Sequence, residues 1–152
     1  TYFYRQHEPF VGNFPTSKRS VYMMQQRINK NPYLDLFDGP DGNIQLAERK
    51  ATTTTLQALF LMNSAFVHDQ AAAIATRVVV GASRRKDRIS WLYRTVLSRQ
   101  PIADEIRRGE EYLSVSETQL GAVGTPPGQA LDEAWRGYVR GMLASNEFLF
   151  ID

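Results

Sequence analysis

The chain has 152 residues, no cysteine and only two histidines. Without cysteine this segment can hold no disulfide, thiolate zinc site, thiol nucleophile or covalently attached c-type haem. The imidazoles His7 and His68 form no HExxH or comparable pair, and nothing in their spacing supports lone-His haem ligation. No apolar run approaches the ~20 residues that span a bilayer. There is no GxSxG elbow, P-loop or GxGxxG, so nucleophilic hydrolysis and phosphate cradling lack their usual signatures. Neither charge sign dominates: Lys and Arg number 18, Asp and Glu 16, for a net charge of +2. The pI near 9.0 rests on that small excess. A nucleic-acid binder concentrates positive charge on one face, and no such role is expected here. The one dense run, Arg84-Arg85-Lys86-Asp87-Arg88, reads as a solvated turn between two helices.

The carboxylates are equally unpromising. Asp104/Glu105 and Glu110/Glu111 are adjacent in sequence, so on a helix they diverge and read as solvated surface. Asp38, Asp41 and Asn43 fail the calcium-loop register. From Asp38 the third position is Pro40, and from Asp41 the sixth is Leu46 rather than glycine. A plain turn is the better reading. No metal site or cofactor is expected in this segment.

What is present is the composition of a globular protein, 43% apolar and 22% charged. A single domain of this length buries roughly 70% of its unfolded surface. The start, TYFYRQHEPF, lacks Met and is not a signal peptide. The chain is read as a fragment of a longer protein, with any targeting signal outside it.

Two regions differ in character. Residues 1–50 are rich in Tyr, Phe, Asn, Gly and Pro and show no sustained period. They read as an irregular, aromatic-rich segment wrapped over a helical core. Within them, Ser20 to Met24 reads as a short extended stretch, Asn31-Pro32 as a helix start, and Asp38 to Asn43 as its stop. Residues 52–152 carry a helical pattern. The expected fold is mainly α, a compact bundle of about five helices.

The first helix covers Leu56 to Met62 with Thr53 or Thr54 as its cap. Ser64 caps the second, Ala65 to Val80, whose residues 67, 71, 74, 75 and 78 share a face. The third starts near Asp87 with Ile89, Leu92, Tyr93, Val96 and Leu97 on one stripe, and ends before Gln100-Pro101. The fourth spans Ala103 to Val115, with Ile102, Ile106 and Leu113 inward and acidic residues in its first turn. A loop from Ser116 to Gly128 follows. The fifth, Gln129 to Ala144, turns Leu131, Trp135, Tyr138, Val139 and Met142 inward, and Glu147 to Asp152 forms an apolar tail packed back on the bundle.

The remaining polar feature is basic residues set among aromatics: Lys18-Arg19-Ser20-Val21-Tyr22, Gln25-Gln26-Arg27 and Arg49. Two readings stand. Arg and Tyr together can line a glycan or anion site. They can also tie an irregular segment to helix ends through backbone carbonyls.

Three blocks carry a resemblance: Thr16 to Arg27 (TSKRSVYMMQQR), Pro32 to Asn43 (PYLDLFDGPDGN) and Thr52 to His68 (TTTTLQALFLMNSAFVH). Their order and spacing resemble the planctomycete cytochrome-c-associated PSD domain, a family of unknown function, in its C-terminal part. Arg94 to Pro101 followed by Glu105, and the ending Leu143 to Asp152, look like the same family's later link and terminus. Thr55 departs from a frequent proline, and Ile44 to Ala47 replaces a more polar stretch. The resemblance implies an exported, periplasmic multidomain bacterial protein that often carries a c-type cytochrome module. Haem would then sit elsewhere in the full-length chain. Partners would be the remaining domains of the same chain and such a cytochrome module. No catalytic residue carries over from the family.

The leading expectation is a non-catalytic structural or interaction module. The alternative is a subdomain of an extracytoplasmic enzyme acting on polysaccharides or in electron transfer. Its site would be shared with the missing part of the chain and lined by Arg19, Tyr22, Arg27 and Asp38.

Overall fold

The computed structural model describes residues 19–22, 32–37, 39 and 54–149. The chain divides into two compact units, Thr1–Gln57 and Ala58–Asp152. Among the described residues every regular element is helical. The expected wrapping of residues 1–50 falls mostly outside the described residues.

In the first unit, Ser20–Tyr22 forms a single 3-10 turn rather than the expected extended stretch, closed by the Tyr22 N–H donating to the Arg19 carbonyl at 2.9 Å. Val21 and Tyr22 are exposed, so no packing surface favours a strand there. Helix α1, Pro32–Leu36, begins on proline as expected, where the missing N–H has no intrahelical partner to lose.

Helix α2, Thr55–Asn63, opens with a complete capping box. The Thr54 hydroxyl accepts from the Gln57 N–H at 3.2 Å, and the Gln57 side-chain oxygen accepts from the Thr54 N–H at 3.0 Å. The Gln57 side-chain amide donates to the Leu36 carbonyl at 2.9 Å. With both ends occupied, Gln57 can be buried although polar.

The second unit is a helical bundle built from α3 (Ala65–Gly81), α4 (Arg85–Val96), α5 (Ala103–Ala122) and α6 (Pro127–Leu143), with a final turn, α7 (Asn146–Leu149). The expected stripes form its core, except that Ile102, expected to turn inward, is 61% exposed. Val67, Ala71, Ala75 and Val78 come from α3, Ile89, Leu92 and Tyr93 from α4, Leu113 from α5, and Ala134, Trp135, Val139, Met142 and Leu143 from α6. Helix α6 is the hub, packing most extensively against α3 and α5.

Several boundaries move for identifiable reasons. Ser64 sits at the N-cap of α3, but its side chain makes no capping hydrogen bond. Helix α4 starts at Arg85, so the basic run is its first turn and not an inter-helix turn. Helix α5 runs on to Ala122, so most of the expected loop is helix. Its true stop is Gly124, at φ +86°. The Gly124 N–H donates to Gly121 O at 3.0 Å and the Thr125 N–H to Leu120 O at 3.0 Å, a Schellman closure. Pro127 then supplies the first residue of α6.

Helices α5 and α6 interlock through two glycine–tyrosine contacts. A Cβ on Gly109 would lie 2.6 Å from the Tyr138 hydroxyl and 3.1 Å from Ile89 Cδ1. A Cβ on Gly137 would lie 2.7 Å from the Tyr112 hydroxyl. Each helix thus offers a glycine to the other's tyrosine, and the two rings lie 5.6 Å apart.

Candidate functional site

Of the four residues singled out as site candidates, Arg19 and Tyr22 lie together on the 3-10 turn, both exposed. Arg27 and Asp38 lie outside the described residues. The adjacent Gly39 donates its N–H to Leu34 O and stops α1. A Cβ at Gly39 would meet that oxygen at 2.6 Å, so the turn requires glycine.

The polar chemistry of the second unit gathers around Arg99, which neither composition nor spacing had marked. Helix α4 ends at Val96, and Ser98 takes a left-handed φ of 56°, turning the chain so that Arg99 faces back toward the helices. The Arg99 guanidinium makes a bidentate pair with Glu105, Nη1 at 2.9 Å and Nη2 at 2.7 Å. Its Nε and Nη2 donate to Glu147, the latter at 2.9 Å, and Nη1 also donates to Gln100 O at 3.1 Å. Every guanidinium N–H is therefore spent. The group also lies 5.2 Å from the centre of the Tyr93 ring, within cation–π range.

Glu105 is the second joint. Besides Arg99 it accepts the Ile102 N–H at 2.8 Å, closing the return half of a capping box at the start of α5. Ile102 has no side-chain acceptor, so the other half is missing. The Arg99 hydrogen bonds hold the Glu105 carboxyl below the usual carboxylate range, and the same cause lowers Glu147. Glu105 is thus not the free surface carboxylate expected from its neighbourhood.

Behind this pair lie two phenols. Tyr93 and Tyr138 interact, and burial, first among the causes, pushes both up from the ordinary tyrosine range. They remain neutral donors across any physiological pH. Trp135 meets Tyr138 edge-on at 6.0 Å and is fully buried. Among the described residues no acceptor reaches its indole N–H.

Several other cations are similarly committed. Arg88 donates to Ala82 O at 2.7 Å and Val79 O at 2.8 Å, capping the carbonyl end of α3 where a positive charge is favoured. Arg85 grips both oxygens of Glu117 on α5 at 2.8 and 2.9 Å, and Arg84 pairs with Asp87. His68 is exposed and hydrogen-bonded. Its Nε2 meets Met62 O at 2.8 Å and its Nδ1 faces the Arg140 guanidinium at 3.3 Å. Among the described residues no group of three His, Asp or Glu side chains is placed to hold a metal ion. Among them too, no helix is long and apolar enough to cross a membrane.

Joining, capping and neutralising are what these groups do, so the described chemistry is that of an α-helical bundle held by buried aromatics and arginine clasps. The chain belongs to the PSD1 family, proteins of unknown function (DUF1553), whose family model matches residues 5–113. The match ends inside α5, at a core position, and leaves α6 beyond it. No curated protein and no solved structure matches the chain.

Proposed function

We propose that this chain is a non-catalytic structural and interaction module of an exported multidomain bacterial protein, working beside c-type cytochrome modules. The observation that carries the interaction reading is α2. Leu56, Leu59 and Met62 recur along it at three-residue spacing, with 66%, 48% and 62% of their surface exposed, and Phe66 follows on α3 at 68%. No charged residue interrupts α2. An exposed apolar strip of this kind marks a surface meant to be covered. The covering partner in this reading is another part of the same long chain.

The exported and cytochrome-associated context rests on the family resemblance. A signal peptide and a Cys-x-x-Cys-His motif in the full reading frame are the expected findings; a frame lacking both removes that context. For docking, a photo-crosslinker at Met62 in the full-length protein should join another segment of its own chain. Labelling by solvent alone at that position would count against the module reading.

A further inference from the structure

We propose that α7 is a strap, held on the bundle by the clasp of Arg99 on Glu147 and able to open while the rest of the bundle stays closed. Helix α7 is four residues long and none of them is buried. Its local support is thin. The Ser145 carbonyl accepts from Phe148 and Leu149 at 3.2 and 3.1 Å, and Phe148 remains 42% exposed. Among the described residues its long-range polar tie is Glu147 to Arg99, forty-eight positions away in sequence.

The clasp is built unequally. One guanidinium serves two carboxylates, so the cluster carries one positive charge against two negative. Glu105 is the inner partner, with 18% of its side chain exposed, the Ile102 N–H as a further donor and Arg108 adding favourable charge. Glu147 is the outer partner, 48% exposed, and is repelled by Glu105. The neighbouring groups on α4 and α6, Tyr93 and Tyr138, are neutral and give it no second anchor. An exposed pair of this kind is worth little, so the clasp adds only slightly to the stability of the closed strap. When Glu147 leaves, Arg99 keeps Glu105, and the α4–α5 joint survives.

Amide hydrogen exchange on the full-length protein tests this, read at Phe148 and Leu149. Glu147→Gln should speed exchange there by about 1.4- to 5-fold, the range for losing an exposed ion pair. Buried positions of α6 such as Val139 should keep their rates, and the melting temperature should hold. Glu133→Gln, which breaks the Arg136 pair on α6, is the control and should leave Phe148 and Leu149 unmoved. Unchanged exchange at Phe148 and Leu149 in Glu147→Gln would overturn the proposal. So would acceleration shared equally with Val139, because α7 would then open only with the whole bundle.

Discussion

In α6 the residues Ala130, Ala134, Trp135, Val139, Met142 and Leu143 are all buried, whereas in α2 Leu56, Leu59 and Met62 all face outward. Helix α2 is the more apolar of the two, and the two are patterned differently. Helix α6 alternates its apolar stripe with Asp132, Glu133, Arg136 and Arg140, so only one orientation satisfies both water and core. Helix α2 has no charged side to present, so the sequence does not say which face should turn inward. The difference teaches where each helix gets its stability. For α6 it is tertiary burial within this unit. For α2, within the described residues, it is the Thr54–Gln57 box and whatever covers its strip.

The strongest test of that contrast is to truncate one apolar side chain on each helix. Trp135→Ala should cost about 3–5 kcal/mol in urea unfolding, the range for a large buried aromatic. Leu59→Ala should stay within about 0.5 kcal/mol, as for an exposed position. Equal losses would erase the distinction. Trp135→Phe should be milder than the alanine change, because it leaves a smaller cavity and removes a buried N–H that has no acceptor among the described residues.

Next in size are the glycines. In a helix interior Gly→Ala ordinarily gains up to about 1 kcal/mol, and Gly141, whose added Cβ would meet nothing within 4 Å, should show that gain. Gly109→Ala should instead lose about 1–3 kcal/mol, since the new methyl collides with the Tyr138 hydroxyl and presses on Ile89. Adding Tyr138→Phe should recover part of the loss by removing that oxygen. A stabilising Gly109→Ala would show that the α5–α6 interlock is looser than its distances.

These contrasts also show what could be read in advance. The stripe through Trp135, Val139 and Met142 was legible because burial on one helix face imposes a period of 3.6. The Thr54 cap was legible because a hydroxyl before an apolar run has one obvious use. Ser64 satisfied the same pattern and does not cap. The extension of α5 through Ser116 to Ala122 was hidden because the stretch from Ser116 to Gly128 is rich in glycine and proline, while the Schellman geometry at Gly124 ends the helix. Gly109 carried a signal, an unexplained glycine among helix formers, but only the neighbouring helix reveals its purpose. The Arg99 clasp was not legible at all. Glu147 lies forty-eight residues from Arg99, and pairing between distant surface charges leaves no periodic trace. The clustering of Arg19, Tyr22, Arg27 and Asp38 stays a proposal, with the latter two outside the described residues.

A smaller effect should separate Glu105 from the carboxylates that only decorate α5. Arg99 lowers the Glu105 carboxyl, so its contribution is fully present above the unfolded-state value near 4.3. It is then lost as pH falls through the lower folded-state value. Acid unfolding followed by circular dichroism should therefore flatten as pH falls below about 4.3 in Glu105→Gln relative to the parent. Glu110→Gln should reproduce the parental curve. If the two variants titrate alike, Glu105 is not the joint its hydrogen bonds describe.

The smallest effects concern the caps of α2 and α3, which look alike on paper as hydroxyls ahead of apolar helices. Thr54→Ala removes an acceptor used by the Gln57 N–H, and a cap of this kind is worth about 1 kcal/mol. It should also weaken the return bond from Gln57, whose buried amide holds Leu36 O, so the loss should be read as reduced helicity as well as a lower urea midpoint. Ser64→Ala removes a hydroxyl that caps nothing and should shift the midpoint by no more than a few tenths of a kcal/mol. A loss at Ser64 as large as that at Thr54 would mean that the serine hydroxyl caps α3 in solution. The α2–α3 corner would then be anchored by its own sequence at both helix starts. Helix α2 would in that case need less from a covering partner than its exposed strip implies.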